Sequence, residues 1–163
     1  MLDDVDDVPW ASFPQPEWNE PDHVPSALRA LASCVSEEEA RRAYDDFLYA
    51  VGNNHCGTYY PVVLPTLPFL ARILESDNEL ARRTTLDALI DLLGSFCPER
   101  GFEFEGVDPE TGLRGELRRL LRMQAGKMLA MILAIASDRS PARLRSATLA
   151  AEVAECLLED VDS

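Results

Sequence analysis

The chain has only two histidines, at 23 and 55, and neither stands at helical or Cys-x-x-Cys spacing from a second ligand. The sequence therefore predicts no metal centre. Its four cysteines, at 34, 56, 97 and 156, form no paired motif. Cys34 and Cys156 fall among apolar neighbours in predicted helices, where a free thiol behaves as a small hydrophobe. Glycines are scattered as helix stops and turn positions, so there is no glycine-rich phosphate loop. The longest apolar run, Met128 to Ala136, is about half of what a bilayer requires. The opening residues MLDDVDDV have neither a basic region nor an apolar core and do not read as a signal peptide. These absences predict a reduced, cytoplasmic protein without cofactor, metal or membrane partner. Basic residues are also short: 15 against 29 acidic, for a formal net charge of −14 and a pI near 4.4. Such a surface repels phosphate backbones and anionic lipid and attracts basic proteins.

What is present suits one soluble domain. The 163 residues are 47% apolar and 27% charged, enough to bury a proper core. Residues 1–25 carry seven acidic side chains, five prolines and no Lys or Arg, and are predicted to form an extended arm. Trp10, Phe13 and Trp18 are costly to leave in water and are expected to pin this arm onto a helical body spanning 26–163.

Helical signals begin at Pro25, with Ser26 as the cap of a short helix carrying Leu28, Leu31 and Ala32. Ser36-Glu37-Glu38-Glu39 reads as a capping box opening a helix to about Val51. Gly52-Asn53-Asn54 is expected to stop it in the left-handed conformation. A third helix contains prolines: Pro61 suits a first turn, while Pro65 and Pro68 must kink or restart it. Ser76-Asp77-Asn78-Glu79 reads as a second capping box, opening a helix to about Leu93. Between 95 and 113 the pattern breaks. Gly101 to Glu105 alternates as a short strand would, and Asp108-Pro109-Glu110-Thr111-Gly112 is a turn sequence. A fifth helix is predicted from Leu113 to Ile135, with its apolar half from Met128 the most buried piece of the fold. A sixth runs from Pro141 to about Glu159. Together these predict an all-α fold of about six helices in antiparallel pairs, a short α-solenoid with an arm and one irregular loop or hairpin.

The stretch Gly52 to Ser76, GNNHCGTYYPVVLPTLPFLARILES, carries a family resemblance. His55, Gly57, Thr58, Tyr60, Pro61, Pro65, Pro68, Phe69 and Leu70 are similar, position by position, to a His-Gln-Gly-Thr-x-Tyr-Pro turn and Val-Pro-Phe-Leu helix. That pattern belongs to a bacterial family of HEAT-like helical-repeat proteins. Cys56 stands where the family usually has Gln, and the likeness covers roughly residues 26–95. The resemblance implies a HEAT/armadillo-like binding scaffold and does not name its partner.

Catalysis finds little support in the residues. Adjacent His55 and Cys56 cannot readily aim imidazole and thiol at each other, and no carboxylate in the same turn would orient the ring. His55 is expected instead to bond backbone groups and lock the loop onto the proline-rich helix. The arginines from Arg114 to Arg122 are expected to neutralise the acidic arm or the last helix. Carboxylate pairs such as Asp45 with Asp46 and Asp87 with Asp91 read as solvated helix faces. By exclusion the chain reads as a non-catalytic protein-binding module. An acidic, small, single-domain scaffold fits an immunity protein that neutralises an interbacterial toxin, with a basic nuclease or deaminase domain as partner. The alternatives are an adaptor or regulatory scaffold and a HEAT-like DNA-modifying enzyme. The expected binding residues are Asp45, Asp46, Asp87, Asp91, Glu152, Glu155 and Glu159, helped by Glu103 and Glu105 of the irregular loop. The protein is expected to be a monomer or a small homo-oligomer.

Overall fold

A computed structural model of the protein describes residues 1–159. Seven α-helices hold more than half of these residues: α1 His23–Ser33, α2 Glu37–Val51, α3 Val63–Glu75, α4 Glu79–Leu93, α5 Leu117–Gly126, α6 Leu129–Ala136 and α7 Leu144–Leu158. Five two-residue strands and three 3-10 turns complete the regular structure of the described residues. β1 Gly52–Asn53, β2 Thr58–Tyr59 and β3 Cys97–Pro98 form one small sheet in that order; β4 Gly106–Val107 and β5 Arg114–Gly115 form a hairpin. The protein is mostly helical, as its sequence predicts.

α4 is the central helix and packs against α1, α2, α3 and α7. Its burial follows from that position: Ala81, Leu86, Ala88, Leu89, Leu92 and Leu93 are all in the core, together with Arg82, Thr84 and Thr85. α2 also packs on α1, and α7 on α6. Cross-helix pairs give the directions. Glu37 meets Arg83 and Tyr44 meets Asp91, so α2 and α4 run the same way. Asp77, just before α4, meets Arg143, just before α7, while Gly94 beyond α4 approaches Cys156, so α4 and α7 are also parallel.

Several local expectations hold. The Glu39 amide donates to Ser36 Oγ at 3.2 Å, and its carboxylate accepts from the Val35 amide at 2.9 Å, one residue earlier than the Ser36 amide of a standard box. The expected turn at 108–112 joins β4 to β5, with Gly57, Gly101 and Gly112 alone among described residues at positive φ.

Others are corrected. α1 begins at His23, not Ser26, because Pro25 fits a first turn that needs no amide donor. Gly52 is not left-handed; it is extended at φ −174° and pairs with Tyr59. Glycine is required there by approach, since a Cβ would lie 1.9 Å from the Thr58 carbonyl oxygen. α3 is unbroken: Pro61 precedes it, Pro65 falls in its first turn, and Pro68 sits inside. Asn78, not Ser76, caps α4, accepting from the Ala81 amide at 3.1 Å. Ser76 instead closes α3, its amide and hydroxyl both donating to the Ile73 carbonyl. Residues 101–105 form no strand; the hairpin lies just beyond them.

The predicted fifth helix is two. At Gly126 the ladder tightens, with Lys127 and Met128 amides bonding carbonyls three residues back. The break lets α5 pack on α3 while α6 packs on α7. α6 is therefore buried on one side only; Ile132 and Ile135 are enclosed, but Leu133 is 43% exposed.

The arm wraps onto the body through two 3-10 turns, Val5–Asp7 and Trp10–Ser12. Leu2, Val5 and Trp10 enter the core, and Phe13 packs against it. Trp18 stays 40% exposed and is held differently, through Nε1 donating to the Tyr49 carbonyl at 3.1 Å.

Candidate functional site

Residues three and four apart share a helix face, and three such faces meet in one groove. α2 contributes Glu37, Ala40, Arg41 and Tyr44; α4 contributes Leu80, Arg83, Thr84, Asp87, Ile90 and Asp91; α7 contributes Arg145 and Glu152. The groove has a volume of about 410 Å³ and opens to solvent. Its walls are tied together. Arg83 Nη2 lies 3.3 Å from Glu37 Oε1, and the Tyr44 hydroxyl donates to the Asp91 carboxylate. Burial, then the bond to Asp91, drives the Tyr44 phenol well above its ordinary range, so it remains a donor.

Asp87 occupies the middle of the groove. Loss of surrounding water raises its pKa most, and the nearby Asp91 and Glu152 charges raise it further; Arg145 and Arg83 pull it down without reversing the shift. This carboxyl stands open at the surface yet is less well hydrated than a free one, because helix walls flank it.

The expected residues divide. Asp87, Asp91 and Glu152 line the groove. Asp45 is exposed at its edge, next to Tyr44, whose phenol it helps to raise. Asp46 is exposed on α2 but is not part of the lining. Glu155 lines an adjoining depression with Arg139, Leu144 and Thr148, which shares Glu152 with the groove. Glu159 is exposed just past the end of α7. Glu103 and Glu105 are engaged locally: Glu103 accepts from the Gly101 amide at 2.9 Å, and Glu105 pairs with Arg114 at 3.2 Å.

Helical spacing reads Arg41 with Asp45 and Arg145 with Glu152, yet sequence reasoning counts only the carboxylates as binding residues and misses Arg83. Arg41, Arg83 and Arg145 make the groove one of mixed sign rather than uniformly acidic. A signal existed, since Arg83 stands four residues before Asp87 and Arg145 seven before Glu152, both spacings that return to one face.

The other sequence candidates have structural positions. Asn53 closes the His55-Cys56 turn, its Oδ1 accepting from both amides at 3.1 and 3.2 Å. The His55 ring is exposed and bonds no backbone group among the described residues, which corrects the role expected for it. The turn is anchored by its backbone, with the Cys97 amide donating to Gly57 and the Glu99 amide to Tyr59. Arg122 does reach the last helix, donating to the Cys156 carbonyl and, at 2.6 Å, to Leu93 at the end of α4. The arm is met by other arginines: Arg29 by Asp6 at 3.2 Å and Arg72 by Asp4 at 2.9 Å.

Among the described residues no group of three or more His, Cys, Asp or Glu is placed to hold a metal ion, and no helix is long and apolar enough to cross a membrane. Compared with family models, curated proteins and solved structures, the chain gives no match.

Proposed function

We propose that the protein is a non-catalytic binding module that captures a basic protein, in its most specific form an immunity protein against a basic toxin domain. The observation that carries this reading is the groove in which α2, α4 and α7 run parallel and present Asp87, Asp91 and Glu152 together. Consecutive helix pairs whose second members stand side by side also fit a HEAT-like α-solenoid, a fold that binds other macromolecules along one face. A net charge of −14 speeds capture of a cationic partner, which matters when a toxin must be met before it acts. The free thiols suit a cytoplasmic setting.

Arg41, Arg83 and Arg145 favour a second reading, an adaptor whose partner carries both signs along one helix. The two differ in gene context and in selectivity, since an immunity gene lies beside that of its toxin.

The test is to purify the product of the adjacent gene and titrate it calorimetrically with this protein. Asp87→Asn with Asp91→Asn removes charge while preserving an acceptor for Tyr44. Binding is expected to weaken by about 2 kcal/mol or more and wild-type association to slow as salt rises. Unchanged affinity in the double variant, without salt dependence, defeats the groove as the site. Turnover of nucleic acid by the purified protein would make it an enzyme.

A further inference from the structure

The exposed aromatic pair of Trp18 and Tyr49 lies outside the groove and has a chemistry of its own. The two rings stack with centroids 4.8 Å apart and an interplanar angle of 18°, yet 40% of Trp18 and 38% of Tyr49 face solvent. Two large aromatics left in water are costly, and these two are fixed there. Trp18 Nε1 donates to the Tyr49 carbonyl, Asn19 Nδ2 donates to the Ala50 carbonyl at 2.7 Å, and His23 Nδ1 lies 2.8 Å from Asn19 Oδ1. The pair is thus pre-organised, and a ligand would not have to bear the entropy of ordering it.

Apart from the His23 ring, 6.4 Å from that of Tyr49, its ionisable neighbours along the arm and α2 are largely acidic. Glu17 and Glu20 flank Trp18 in the arm, and Asp46 stands three residues before Tyr49 on α2; all three are exposed. No Lys or Arg occurs in residues 1–25, and Arg42 on α2 is paired with Glu38. The stack also sits on the last carbonyls of α2, the negative end of that helix. Electron-rich ring faces, carboxylates and a helix C-terminus together select a cation. A flat, weakly hydrated guanidinium suits a ring face better than a compact ammonium.

We propose that Trp18 and Tyr49, with Glu17, Glu20 and Asp46, dock an arginine side chain from an exposed segment of a protein partner, at a site separate from the groove. The partner's basic character is borrowed from the function proposed above, whereas the choice of arginine stands on this geometry.

Trp10 is 5% exposed, so quenching of tryptophan fluorescence by acrylamide reports mainly on Trp18. The probes are blocked peptides of alternating glycine with arginine, lysine or citrulline, the uncharged counterpart of arginine. The arginine peptide should shield Trp18 from acrylamide, the lysine peptide of equal charge should shield it less, and the citrulline peptide should not. By calorimetry, Asp46→Asn and Trp18→Ala should each weaken the arginine peptide about two- to fivefold, with circular dichroism confirming the fold. Asp87→Asn with Asp91→Asn should leave that affinity unchanged. Equal shielding by arginine and lysine peptides, or unchanged affinity in both Asp46→Asn and Trp18→Ala, overturns the proposal. If the groove variant abolishes shielding, the peptide lies in the groove and this second site does not exist.

Discussion

The arm before α1 and the connection between α4 and α5 are both long, irregular and rich in turn residues, yet they treat their apolar side chains in opposite ways. The arm places Leu2, Val5 and Trp10 in the core, sets Trp10 6.0 Å from Phe69, and gives the Val62 amide its acceptor at Pro14. The connection is anchored at its root by β3 and by Tyr60 against Phe102, then leaves Phe104 72% and Leu113 69% exposed. Its hydrogen bonds beyond residue 100 are largely internal, such as the Asp108 amide to Leu113 and the Gly112 amide to Asp108. Proline and glycine content differs, with four prolines and no glycine in the arm before α1 against two prolines and five glycines in the connection, but it does not by itself decide which apolar side chains are buried. What separates them is whether the body offers a complementary surface: the arm completes the core, whereas the hairpin rests on α5 through Gly106 and leaves Phe104 and Leu113 in solvent.

The largest expected effect tests the first half of that contrast. Trp10→Ala should cost about 3–5 kcal/mol in urea unfolding, because it empties a core site. A cost below about 1 kcal/mol would mean that the arm merely rests on the surface.

Asn19→Ala should cost about 1 kcal/mol, through the lost bond to the Ala50 carbonyl at the end of α2. Trp18→Phe removes the neighbouring bond to Tyr49 while keeping a ring, so it sharpens how much of the arm's hold is capping rather than packing.

Phe104→Ala and Leu113→Ala should each change stability by less than about 0.5 kcal/mol. If either cost as much as Trp10→Ala, the hairpin would have to be counted as core and the contrast would fail.

The smallest effects are protonic and differ in sign between regions. Hydrogen bonds from Arg72 and Arg29 hold Asp4 and Asp6 below the ordinary 3.8. Their contribution is present above that value and is lost as pH falls through the lower folded values. Dehydration pushes Asp87 the other way, above 3.8. What it contributes is complete below 3.8 and is lost as pH rises through the raised folded value. Thermal midpoints should therefore show Asp4→Asn and Asp6→Asn less stable than wild type at neutral pH, and Asp87→Asn more stable. Both differences should shrink toward acid pH.

Much of the helical framework was legible because its signals are local. Ser36 and Glu39 lie within one turn of each other, and α2 and α4 end at the residues their patterns indicate. The errors arise where a local signal had two uses. Ser76 and Asn78 both look like caps, and only the path of the chain gives α3 the first and α4 the second. An apolar run from Met128 looks buried all round until a break at Gly126 turns it mainly onto α7.

The candidate site was half legible. Helical spacing puts Asp87 and Asp91 on one face, and Arg145 and Glu152 on another. It does not say that these faces meet, nor that Asp46 and Glu155 fall outside the groove, because helix rotation is set by packing.

By itself, then, the sequence determined most of the helices, both ends of α2 and the far end of α4, the acidic balance and the burial of Trp10 and Phe13 in the arm, all consequences of bonds and spacings within a few residues. Tertiary structure alone decided how the helix ends are finished: Trp18 and Asn19 on α2, Asn78 on the end of α1, Arg122 on both α4 and α7. It also decided that carboxylates and arginines share one groove. Each of these pairings joins residues far apart in the chain, and only a packed core holds such ends together against the entropy of closing the loop between them.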